Sequence, residues 1–100
     1  MPPFKIKAAA RNDLKGIARY TEKTWNRKQR NDYLTELDHA FHRLVENTEL
    51  GKACDHIRPG DRVFPVGRHL IFYKLGTRET VEIIRVLHNR MDVSARLFKA

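Results

Sequence analysis

Arg62, Arg85 and His88 are the side chains of this 100-residue chain whose types could do chemistry together. Cleaving RNA without a metal takes a base for the 2′-hydroxyl, an acid for the leaving oxygen and cations over the phosphate. A histidine beside two arginines on a sheet can supply all three. The stretch EIIRVLHNRMD, Glu82 to Asp92, sharpens the question, because Arg85 sits in the middle of a run that otherwise reads as a buried strand. A guanidinium carries five donors, and burying it unpaired costs its hydration. A carboxylate such as Asp55, Asp61 or Asp92 would make Arg85 a brace for the strand, and a second chain could complete an interface around it. The residues alone leave these readings open.

Other constellations carry less. His39 and His42 stand three apart near Asp38 and Glu46, but on the side of a helix opposite Leu37, Phe41 and Leu44. An exposed pair of this kind lacks the third ligand and the supporting partners a metal needs, so neither a metal site nor a cofactor is expected. Nothing resembles a phosphate-binding glycine loop, a CxxC pair or a serine nucleophile elbow.

The elements that must position these residues follow from periodicity. Phe4-Lys5-Ile6-Lys7 alternates apolar and basic, as a short strand with one buried face does. Ala8 to Thr24 then reads as a helix, with Ala10, Leu14, Ile17, Ala18, Thr21 and Trp25 on one side. Arg11, Lys15, Arg19 and Lys23 recur every four residues on nearly the opposite side, a row that could lie along a phosphate backbone or simply face solvent. Asn26 is the expected N-cap of a second helix, with Gln29 three residues later, running to about Glu46. Tyr33, Leu34, Leu37, Ala40, Phe41, Leu44 and Val45 form its apolar stripe. Gly51 is suited to a left-handed residue after the helix.

Beyond residue 55 the period changes. Arg62 to Val66, His69 to Lys74 and Thr80 to Leu87 read as strands, separated by turns at PVGR and LGTRE. The expected fold class is therefore α+β: an N-terminal strand, an antiparallel helical hairpin, and three antiparallel strands forming one sheet. All 100 residues are expected to form a single domain. Both sheet faces carry apolar side chains, yet two helices cover only one. The other face is left for the C-terminal tail or a partner.

Composition narrows the class. The net charge is +8 and the pI about 10.1, which points to nucleic acid, an anionic surface or an acidic protein partner. No apolar run approaches the roughly 18 residues of a membrane span, and the N-terminus lacks the apolar region of a signal peptide. Cys54 is the single cysteine, so no disulfide forms within the chain, and a cytoplasmic location is expected.

WNRKQRNDYLTELDHAF, GKACDHIRPGDRVFPVGRHLIFYK and VEIIRVLHNRMD together resemble the ParE branch of the ParE/RelE toxin superfamily, over about Phe4 to Val93. One departure is Gly60-Asp61-Arg62, where that family usually has Gly-Tyr-Arg. The resemblance implies a type II toxin that arrests growth and serves plasmid maintenance. It implies a ParD-type antitoxin as partner, a hetero-oligomer formed with it, and DNA gyrase as target. On this reading Phe64, Leu70, Phe72 and Val86 are the expected antitoxin anchors, and His88, Arg90, Met91 and Asp92 the expected target surface. The superfamily's other activity is ribosome-dependent mRNA cleavage, for which Arg62, Arg85 and His88 are the candidate catalytic residues.

Overall fold

The computed structural model describes residues 4–55 and 57–90. Strand β1 (Phe4–Ile6) leads into helix α1 (Ala8–Thr24), and helix α2 (Arg27–Glu46) follows after two residues. A two-residue strand β2 (Lys52–Ala53), β3 (Arg62–Val66), β4 (His69–Leu75) and β5 (Val81–His88) complete the chain's regular elements. The five strands form one sheet in the order β1-β5-β4-β3-β2. β1 lies parallel to β5, and the remaining pairs are antiparallel. The expected α+β order holds; β2 is an addition too short to carry a periodic signal.

The helical hairpin turns where the sequence places it. The Asn26 side chain accepts the Gln29 N–H at 2.8 Å, satisfying one of the donors that a helix start leaves open. Leu37, Ala40, Phe41 and Leu44 of α2 are buried with Ala10 and Ile17 of α1 against Ile71, Tyr73, Val81, Ile83 and Val86 of the sheet. Trp25 departs from the expected apolar side of α1: it is 67% exposed, because the chain leaves the helix there.

Gly51 is required for a different reason than a left-handed turn. A Cβ there would stand 2.7 Å from both the Tyr73 hydroxyl and the Val63 carbonyl. Its own N–H donates to that hydroxyl at 2.8 Å, so backbone and phenol meet at a distance only glycine permits.

The face away from the helices is covered in part by the chain itself. Phe72, Ile84 and Leu87 are buried there with Cys54, and Ile57, Val63 and Leu70 pack against them. The loop after β2 thus covers part of the apolar surface that the two-faced strand pattern leaves over. The four expected antitoxin anchors accordingly do not share a surface. Phe64 and Val86 belong to the helix-side core, Leu70 and Phe72 to the opposite cluster, and Phe72 and Val86 are 1% and 2% exposed.

A bulge in β5 is the device that matters most for the site. The register with β4 shifts between Phe72 and Tyr73, so that Phe72 faces Arg85, Tyr73 faces Ile83, and Ile84 is the extra residue. Bulges bend a strand and re-aim side chains. Here Ile83 enters the helix-side core and Ile84 the opposite cluster, while Arg85 joins the carboxylate of Asp13 on α1.

Candidate functional groove

The pairing of β1 with β5 stops at Ile6 and Ile83, and among the described residues no strand pairs with the rest of that edge of β5. Asp13, in the second turn of α1, takes over there. Its carboxylate accepts the Arg85 side chain at 2.8 and 2.9 Å and the Val86 N–H at 3.0 Å. The paired side chains are only 15% and 12% exposed. Asp13 holds the Arg85 guanidinium above its ordinary pKa, with burial opposing. Arg85 is therefore a structural brace. Of the carboxylates named as partners from sequence, Asp55 instead accepts the Gly60 N–H, Asp61 lies 3.5 Å from Arg58, and Asp92 is outside the described residues.

Beside this brace a groove of about 950 Å³ opens between α1, the start of α2 and the ends of β4 and β5. Gly16 presents no side chain to it, and Tyr20 and Trp25 stand on its rim, each about two-thirds exposed. Its far wall holds Tyr33, Arg68, His69 and His88. Gly67, at φ 56°, makes the turn from β3 into β4, and a Cβ there would sit 2.8 Å from the Tyr33 ring. The glycine therefore allows both the turn and the approach of the phenol.

Tyr33 and His69 are joined across 36 residues of sequence, the phenolic oxygen lying 2.5 Å from His69 Nδ1 and donating to the Val66 carbonyl at 3.2 Å. The His69 and His88 rings meet edge to face with centroids 5.4 Å apart. Burial lowers the His69 pKa below the usual histidine value, the neighbouring His88 adds to this, and Asp13 opposes it. Burial also raises the Tyr33 phenol, with the Arg68 backbone N–H opposing. His69 is thus held neutral near pH 7. His88 Nδ1 accepts the Arg90 N–H at 3.1 Å.

The three residues named for RNA cleavage are not brought together. In the register, Val66, His69 and His88 align at one end of the sheet, while Arg62 aligns with Tyr73. Four residue steps along β3 separate the two positions, about 13 Å. Arg62 is spent on the turn after α2, donating to the carbonyls of Gly51 at 3.0 Å and Glu49 at 3.3 Å. Arg85 is neutralised by Asp13, so of the trio only His88 faces the groove. Of the expected target surface, His88 lines the groove and Arg90 is exposed, while Met91 and Asp92 lie outside the described residues.

Sequence reasoning missed Tyr20, Tyr33, Arg68 and His69 as surface-forming residues. Tyr20 had a legible signal, since it falls outside the apolar arc of α1 and a large ring there must face solvent. The other three meet only through tertiary contact. His39 and His42 are exposed on α2, with His42 3.4 Å from Asp38 and edge-on to Phe4. Among the described residues no group of three His, Cys, Asp or Glu is placed to hold a metal.

Comparison with known proteins gives a consistent result. The family described as ParE toxin of type II toxin-antitoxin system, parDE, matches residues 4–93. Toxin ParE1 of Mycobacterium tuberculosis is 40% identical over 94 residues, covering 94% of this chain and 96% of that protein. Toxin ParE1 of Caulobacter vibrioides is 37% identical over 97 residues, covering 97% and 99%. Toxin ParE of Escherichia coli is 30% identical over 97 residues, covering 97% and 94%. A solved chain from the chromosomal ParDE TA system of P. aeruginosa superposes with a TM-score of 0.74 over 85% of this chain and 92% of that one, at 14% identity. That likeness is one of fold.

Proposed function

The chain belongs to the ParE toxin family of type II toxin–antitoxin systems, and from that premise we propose that it arrests growth by binding DNA gyrase in the cytoplasm and is neutralised by a ParD-type antitoxin. The observation that carries this reading is the groove. It has an apolar interior and two large rings on its rim, so it can receive an apolar helix or extended segment, the form in which disordered partners commonly dock. Tyr20 and Trp25 have the composition of binding hot spots, offering large apolar area with few rotors to freeze. The chain's +8 charge favours an acidic partner in addition.

A contact mechanism fits the chemistry of the groove better than cleavage of RNA. Stabilising a transferring phosphate takes free cations beside the acid and base. Arg85 is held by Asp13 and Arg62 lies at the far end of β3, so neither arginine named for cleavage stands free beside His88, and the cation on that wall is Arg68. No helix among the described residues is long and apolar enough to cross a membrane.

The test places purified protein in a gyrase supercoiling assay and in a translating-ribosome mRNA cleavage assay side by side. Loss of supercoiling with intact mRNA is the expected result. Discrete cuts in ribosome-bound mRNA with unaffected gyrase would replace this reading by the RNase one. Co-expression with the protein encoded by the neighbouring reading frame should restore growth and yield a complex; failure of both would remove the antitoxin.

A further inference from the structure

The row of cations on α1 is used by nothing described above. Arg11, Lys15, Arg19 and Lys23 are all exposed, and each stands about 6 Å from the next along the helix. Among the described residues none of the four is in an ion pair, whereas the acid on the same side, Glu22, is turned to Arg27 and Arg30 of α2. The row therefore keeps its full charge over about 18 Å of rigid helix. Holding four like charges in one line opposes folding slightly, and no partner within the described chain relieves it.

We propose that this ridge is a contact surface for the phosphate backbone of duplex DNA, independent of sequence. The length of the row spans about five base-pair steps at 3.4 Å each. The exposed rings nearest the row, Tyr20 and Trp25, stand at the groove rim, so the row has no series of rings on which successive unpaired bases could stack, as single-strand binding requires. A membrane surface fits less well, because the apolar side of α1 that would have to enter lipid is packed against the sheet through Ala10 and Ile17. The choice of duplex DNA over duplex RNA rests on the gyrase reading, since that target works on duplex DNA; the backbone contact itself does not depend on it. None of the four cations lines the groove, so a partner seated there leaves the ridge open.

The experiment measures binding of the full chain to a fluorescent mixed-sequence DNA duplex, without gyrase, as a function of salt. Four phosphate contacts predict a slope of log K against log salt of about −3.6. The variant Arg11→Gln/Lys15→Gln/Arg19→Gln should reduce the magnitude of that slope by about 2.7. Lys5→Gln/Lys52→Gln/Arg78→Gln, three exposed cations elsewhere with the same change in net charge, should leave it nearly unchanged. Unaltered melting temperatures establish that both triples fold; should the ridge triple unfold, Lys15→Gln alone should reduce the slope by about 0.9. Equal losses in the two triples would reduce the effect to net charge and overturn the ridge. So would a wild-type slope near zero, or preference for duplex RNA, single strands or anionic vesicles over duplex DNA. DNA binding without gyrase inhibition would sustain the ridge and remove the gyrase reading, while the converse would do the reverse.

Discussion

Asp13 and Arg85 are joined by two hydrogen bonds across 72 residues of sequence, tying the second turn of α1 to the bulged edge of β5. The same carboxylate accepts the Val86 N–H, so one side chain both neutralises a half-buried cation and ends the sheet edge where β1 stops.

Arg85→Ala should therefore destabilise the fold by about 2–4 kcal/mol, because it abandons a carboxylate that is largely buried. Asp13→Asn should cost less, since an amide still accepts from the Val86 N–H. Urea unfolding of the two variants measures the difference. Equal and negligible losses would show the pair to be an ornament of the surface.

Phe41 fills the space between α2, β1 and the sheet, at 2% exposure and with its ring edge-on to Phe4. Phe41→Ala should cost about 3–5 kcal/mol, a large share of what a domain of this size has. A denaturation midpoint that barely moves would contradict this packing.

Acid should weaken the fold through His69. Its folded pKa lies below the unfolded value, so the stabilisation is present above about pH 6.5, the unfolded value, and is lost as pH falls through the folded one. The unfolded chain takes up the proton first. Melting temperatures measured from pH 8 to pH 5 should fall more steeply for the wild type than for His69→Gln. Parallel curves would mean that the ring is solvated.

Asp61 runs the other way. It is 1% exposed, its Oδ2 accepts no hydrogen bond, and burial raises its pKa, with Arg58 opposing. A raised carboxylate favours folding below the unfolded pKa and loses that contribution as pH rises through the folded one. Asp61→Asn should accordingly stabilise the protein at pH 7, by about 1 kcal/mol, with the gain shrinking toward pH 4. A destabilised variant at pH 7 would show that the Arg58 contact outweighs burial.

On the groove rim, Tyr20→Ala and Trp25→Ala should leave the melting temperature unchanged, because both rings are two-thirds exposed. Each should weaken binding of the antitoxin by about 2 kcal/mol, roughly 30-fold in Kd. Calorimetric titration with the co-expressed partner decides it, and unaltered affinity would move the docking site elsewhere.

Much of the architecture was legible in the sequence because it is written in local periods. The stripe through Leu37, Phe41 and Leu44 marks α2, the Asn26 and Gln29 pair marks its start, and the β-branched runs mark three of the strands. The motifs from Asp55 to Asp92 indicated the toxin family before any coordinate did. What the sequence could not determine is which distant residues meet. A carboxylate on α1 satisfies Arg85 as well as any nearer in sequence, and only the arrest of β1 at Ile6 together with the bulge at Ile84 selects Asp13. The far sheet face likewise read as open because strand alternation reports which side chains are apolar, not what covers them; the loop through Cys54 and Ile57 does so. Arg62 and His88 looked like partners by type, and the β3–β4–β5 register separates them, since position along a strand is set by pairing and not by chemistry.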